Sequence, residues 1–327
     1  MAAIALFGAG RIGSIHAANA AAHPALTLKY VVDPAAEAAD RIAQRWGAQV
    51  AVAEQVFADP DVAGVVVASS TDTHLDHCLA AARAGKAIFC EKPIDLDLAR
   101  VRNAAPQLQG ARVLMGFNRR FDAQFQALKA QMDSGAFGTL ETLNIVSHDP
   151  APPPIDYVKV SGGLFRDMAI HDFDTARWLL GEGPTEVFAS ASCLVDPAIG
   201  AVGDVDTAKI LLRTASARLC LISNSRRSAY GYDQRIEAFG SGGMVRAGNV
   251  TESTLSLWTE PGAAADRFQN FFLDRYADAY GKEMAHFAEV LAGAEPRVGL
   301  ADAIAALALA EAAETSVRTG ASAPVAL

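Results

Sequence analysis

"AIALFGAGRIG", residues 3–13, is the stretch on which the fold turns. A short apolar run ends in Gly8, Gly10 and Gly13, spaced G-x-G-x-x-G, and a helical pattern begins inside the turn. Glycines at that spacing permit a tight reversal and let backbone approach a pyrophosphate, whose charge then meets a helix N-terminus. Such a triplet also arises by chance in a chain rich in alanine and glycine, so its surroundings decide its weight.

Outward from the turn, apolar strands alternate with helical segments. "LTLKYVVD", "GVVVAS", "AIFCEK" and "RVLMGF" are separated by helices through "AAEAADRIAQRWG", "HLDHCLAAARAG" and "DLARVRNAAPQL". Strands divided by helices of this length imply βαβ crossovers and a parallel, doubly wound sheet. Asp33 closes the second strand twenty residues after Gly13. A carboxylate there can accept both ribose hydroxyls of NAD and would repel the 2′-phosphate of NADP. Without that context it is a turn residue before Pro34. Ser69, Ser70 and Thr71 in "ASSTDTH" follow another strand end, where such sheets bind ligands; His74 beside them is either chemical or a helix-start residue. The expected cofactor set is Gly8, Gly10, Arg11, Ile12, Gly13, Asp33, Ser69, Ser70, Thr71, Glu91 and Lys92.

After Phe117 the rhythm changes. A helix and the strand "LETLNIVSHD" lead through a proline-rich loop to "GGLFRDMAIHDFD", residues 162–174. From Thr185 the chain reads mostly as strands joined by turns, which suggests a mostly antiparallel sheet, and helices return at the end. The expected domains are residues 1–118, with the parallel sheet, and residues 119–327, an α+β unit with a large open sheet. The final helices are candidates to pack back on the first domain.

The totals narrow the function. A chain of 327 residues with 51% hydrophobic residues can build two ordinary cores. A net charge of -9 and the lack of a basic run argue against nucleic acid. Cys78, Cys90, Cys193 and Cys220 stand apart, which suits reduced thiols in a cytoplasmic protein and offers no metal cluster. The first residues read as a strand and not as a leader, and no run nears the roughly 18 apolar residues of a membrane span.

An alcohol oxidised by a nicotinamide cofactor must lose its hydroxyl proton to a base. Clustered zinc ligands are absent, and no tyrosine has a lysine four residues on. A histidine with a carboxylate and a lysine remains. Lys92 in "CEKP" ends a strand and can stabilise alkoxide charge; otherwise it is a solvated lysine paired with Glu91. Asp167 and His171 are spaced i,i+4 and so share a helix face. His171 has the range of a general base. An ordinary surface ion pair is the equal alternative, with Asp172 and Asp174 adding to the acidity.

The glycine triplet, "EKP" and "GGLFRDMAIHDFD" together resemble the glucose–fructose oxidoreductase/inositol dehydrogenase/rhizopine-catabolism (Gfo/Idh/MocA) family along essentially the whole chain. Within it "FNRRFD", "HDPAPPPIDYVKVSGGLFRDMAIHD", "SNSRRSAYGYDQRIE" and "NFFLDRYADAYGKEM" look most like the bacterial inositol 2-dehydrogenases. The resemblance implies a Rossmann domain, NAD, a catalytic set of Lys92, Asp167 and His171, and oxidation of myo-inositol to 2-keto-myo-inositol. It also implies substrate contacts from Lys92, Asn118, Asp149, Asp167, His171 and Tyr232, with Arg119 near them, and a homotetramer built through the open sheet. Asp149 suits a neutral polyol better than a phosphorylated sugar, and Arg226 and Arg227 would be a phosphate site, an interface or structural pairs. A related polyol or sugar dehydrogenase, or an NAD-binding sensor without catalysis, is the rival reading.

Overall fold

A computed structural model describes residues 1–326. The described residues divide into two compact units, residues 1–121 with 278–304, and residues 122–277 with 305–326.

The first unit is built on β1 (Ala2–Phe7), β2 (Leu26–Val32), β3 (Gln49–Val50), β4 (Val62–Val67), β5 (Ala87–Glu91) and β6 (Val113–Gly116). They form one parallel sheet in the order β3-β2-β1-β4-β5-β6. The apolar runs are buried because helices cover a parallel sheet on both faces; β5 is buried along its full length. The strand order reverses between β1 and β4, and ligands of such sheets bind at the carboxyl ends of the strands at that point. Two short elements, β3 and the helix Ala53–Ala58, went unread in the sequence.

The returning helix Ala277–Leu291 is seated closely on this sheet. A side chain at Gly64 of β4 would come within 2.7 Å of Leu291 and 2.9 Å of the Phe287 ring, so the strand is bare where the helix crosses it. Beyond the helix, Val298 accepts a hydrogen bond from the Met115 amide of β6.

The second unit holds β7 (Leu140–His148), β8 (Pro184–Ser192), β9 (Thr207–Thr214), β10 (Leu219–Ser225), β11 (Asp233–Gly240), β12 (Gly243–Ala247) and the hairpin β13 (Ser256–Thr259) and β14 (Gly262–Ala265), with β15 (Ala323–Pro324) at the end. The large sheet has the order β12-β11-β7-β10-β9-β8-β15, and only β7 and β10 run parallel. This is the expected mixed, mostly antiparallel sheet. Alternate residues of β9 are buried and exposed, as a sheet with one covered face requires. The helices Ala123–Asp133 and Ile170–Leu180 touch β12 and β7. On the other face Phe188, Leu211 and Leu221 lie in one register row, and Met244, Phe239 and Leu219 in the next. All six are more than a third exposed.

Candidate active site

In the first unit the glycine turn is shaped by close backbone approach. Gly8 has φ +100, and a side chain there would lie 2.3 Å from the Ala68 carbonyl at the end of β4. One at Gly13 would lie 2.0 Å from the Gly8 carbonyl. Gly10 differs, since nothing lies within 4 Å of the side chain it lacks. Protein packing therefore does not demand glycine at that position, whereas a pyrophosphate against the backbone would. Gly10 is also the N-cap of the helix Arg11–Ala22, with no side-chain cap and no acidic residue in the first turn. The helix start is left to an anion, and the residues present fit a dinucleotide.

Asp33 stands at the end of β2. One carboxylate oxygen accepts from the Ala9 amide at 2.6 Å, and the other from the Ala35 amide at 2.8 Å. Each oxygen keeps a further lone pair, so a ribose can still be bound. Ser70 caps the helix Thr71–Arg83, and Ser69 Oγ lies 2.7 Å from Thr73 Oγ1. His74 is buried, with Nδ1 2.8 Å from the Pro93 carbonyl and Nε2 3.1 Å from that of Ser69. It braces the strand end after β5 against the serine loop.

Glu91 closes β5 ahead of Lys92. Its Oε1 accepts from His16 Nε2 at 2.7 Å, and its Oε2 from the Lys92 amide at 3.3 Å. Beside it is Glu283 on the helix Ala277–Leu291, wholly buried and, among the described residues, without a hydrogen-bond partner for either oxygen. Burial, reinforced by the charge of Glu91, pushes the Glu283 carboxyl well above the usual carboxylate range. Neither His16 nor Glu283 was singled out in the sequence. The helix carries Tyr280, Glu283 and Phe287 on one stripe, so a carboxylate in an otherwise apolar stripe was the signal available. Asn118 is buried at the start of a short 3₁₀ turn, and its Oδ1 accepts no hydrogen bond among the described residues.

In the second unit the segment with Asp167 departs from the simple helix the spacing implied. Gly162 and Gly163 both have positive φ, +85 and +79. The chain then makes a π-helical turn over Phe165–Ala169 before the helix Ile170–Leu180. One wide turn thus separates Asp167 from His171, a form often found at functional sites. The neighbouring acids are not a solvated face. Asp172 and Asp174 are buried, and Asp172 accepts from Asn224 Nδ2 at 2.7 Å. Met168, Ile170 and Phe173 are buried with them.

The Asp167 carboxylate receives Tyr157 Oη on Oδ1 at 2.8 Å and Arg226 Nη1 on Oδ2 at 3.3 Å. Arg226, left open between phosphate site, interface and structural pair, is a buried ion-pair partner of Asp167. Arg227 is exposed. Asp149 follows β7 and gives its amide to the Ser225 carbonyl at 2.9 Å. Tyr232 is buried edge-on to Tyr276, with centroids 6.1 Å apart. Among the described residues no group of His, Cys, Asp and Glu is placed to hold a metal ion, and no helix is long and apolar enough to cross a membrane.

Comparison with known proteins matches both units. Residues 2–117 match the oxidoreductase family with an NAD-binding Rossmann fold, and residues 125–246 match the GFO/IDH/MocA C-terminal domain. The chain is 47% identical over 315 residues to inositol 2-dehydrogenase of Rhizobium meliloti, covering 95% of this chain and 96% of that protein. It is 45% identical over 319 residues to myo-inositol 2-dehydrogenase of Thermotoga maritima, covering 96% of each. The crystal structure of a myo-inositol dehydrogenase from Corynebacterium glutamicum superposes with a TM-score of 0.95 at 42% identity, covering 99% of both chains.

Proposed function

The chain belongs to the GFO/IDH/MocA family of NAD-binding oxidoreductases, and from that premise we propose that it oxidises the axial hydroxyl of myo-inositol to the ketone, 2-keto-myo-inositol. NAD, when bound, accepts the hydride. The residues of this chain do the rest. The glycine turn and helix N-terminus take the pyrophosphate, and Asp33 takes the ribose. Ser69, Ser70, Thr71, Glu91 and the Arg11–Ile12 backbone complete the cofactor set.

The observation that carries the reading is Asp167. It is a carboxylate oriented by two donors, set one wide turn before a histidine. The carboxylate is an acceptor for an imidazole or a substrate hydroxyl, and His171 takes the proton as general base. Lys92 stabilises the alkoxide that forms. Asn118, Asp149 and Tyr232 contact the ring hydroxyls, where acceptor groups suit a neutral polyol. The family reading extends to a homotetramer joined through the open sheet. Six exposed apolar residues in two register rows support it, since a patch of that kind on a monomer would be a liability. Four free thiols fit a cytoplasmic setting.

The test is NADH absorbance with a panel of myo-inositol, scyllo-inositol, other inositols and hexoses. Fastest turnover on myo-inositol is expected. Preference for another ring would keep the enzyme and change its substrate, and tight NAD binding with no turnover of any polyol would leave a sensor.

A further inference from the structure

We infer that Arg226 is the positioning residue for Asp167, holding the carboxylate on which the proposed reaction depends; this rests on the role given to Asp167 above. The guanidinium is 1% exposed, among the largest wholly buried side chains of the chain. A charge so placed is costly unless paired. Here, among the described residues, Nε and Nη2 make no hydrogen bond, and the one the guanidinium makes, through Nη1, goes to Asp167 at 3.3 Å.

The same guanidinium has a second carboxylate on its other side. Arg226 Nη2 lies 3.8 Å from Asp204 Oδ2. Asp204 Oδ1 accepts the Leu164 amide at 3.0 Å, and it fills the space where a side chain at Gly163 would have to go, 2.8 Å away. Asp204 therefore holds the backbone at the entry to the π-helical turn, and Arg226 holds the side chain that turn presents. The Arg226 amide donates to the Asp206 carbonyl at 2.8 Å, so the arginine is itself fixed to the loop that supplies Asp204.

Tyr157 cannot do this alone. Its side chain sits on a short surface helix and is 48% exposed, so water can replace its hydroxyl on Oδ1. The buried ion pair sets where Oδ2 sits, and with it the direction from which an imidazole or a hydroxyl meets the carboxylate. A displacement of about 1 Å in such a group can cost on the order of 100-fold in turnover.

The experiment is a double-mutant cycle on turnover with R226M, R226K, D167N and R226M combined with D167N. R226M is expected to lower kcat about 100-fold and leave the Michaelis constant for NAD unchanged, while R226K recovers much of the loss. In the D167N background the arginine has nothing left to position, so R226M should change kcat by less than about twofold. Losses that simply add, or a wild-type kcat in R226M, would overturn the inference. If R226M alone does not fold, the double variant carries the test, because removing both charges leaves only the partly exposed Asp204 without its cation; a kcat far below that of D167N would then overturn it. An active D167N enzyme would instead remove the reading on which the inference rests.

Discussion

His16 Nε2 lies 2.7 Å from Glu91 Oε1, which ties the first helix after the glycine turn to the strand end that carries Lys92. The imidazole is 1% exposed and is packed edge-on to Phe89 and Tyr280. The glycine turn and Lys92 are thereby mounted on one buried hydrogen bond. His16→Ala removes it and leaves Glu91 with a single amide partner. The expected cost is about 2–4 kcal/mol from the lost charged hydrogen bond and the cavity. Urea unfolding measures this, and an unchanged midpoint would show that the pair carries no stability.

Glu283 makes stability depend on pH in an unusual direction. Burial keeps the carboxyl protonated to higher pH in the folded protein than in the unfolded chain, where it ionises at about pH 4.5. Unfolding then releases a proton, so stability is greatest below that pH. It falls by up to about 1.4 kcal/mol per pH unit as pH rises toward the folded value. Glu283→Gln should match the wild type near pH 4 and become progressively more stable above it. Melting curves across a pH series would expose the error if the gap stayed constant.

Gly10→Ala separates folding from cofactor binding. The position has φ -76 and open space around it, so alanine should leave unfolding unchanged. A methyl pressed against a bound pyrophosphate should cost about 1–3 kcal/mol, which is roughly a 5- to 150-fold rise in the Michaelis constant for NAD. Equal NAD affinity in the variant would mean that the cofactor does not lie on this turn.

His171→Ala should lower kcat by about two to four orders of magnitude, the scale of a lost general base, with the NAD constant little changed. Normal turnover in that protein would assign the proton to another group.

The parallel sheet was legible because each βαβ unit repeats two periods that sequence displays directly, and the glycine triplet marks where they join. The second sheet was legible from its long strands joined by turns, with little helix between them. What escaped was short or tertiary. β3 and the helix Ala53–Ala58 span two and six residues, too few for a period to register. The i,i+4 spacing of Asp167 and His171 reads as an α-helix, because nothing local announces the extra residue of a π-helical turn. That this segment is not a solvated acidic face depended on Asp172, Asp174 and Arg226 being buried, and on a partner for Asp167 that lies 59 residues away. His16 and Glu283 sit on helix stripes as polar intruders, a clue that carries meaning only once the opposite surface is known.

Asp33 has two employments, and they cannot be separated by a single substitution. The side chain proposed to read the ribose also anchors Ala9, inside the glycine turn, through its amide. Redirecting this chain to a phosphorylated dinucleotide by removing the acid would free the turn at the same stroke. A lineage or a designer making that exchange needs a residue that still accepts from Ala9, or a second change that stiffens the turn. With Asp33 in the proposed role, cofactor choice is inherited together with loop shape.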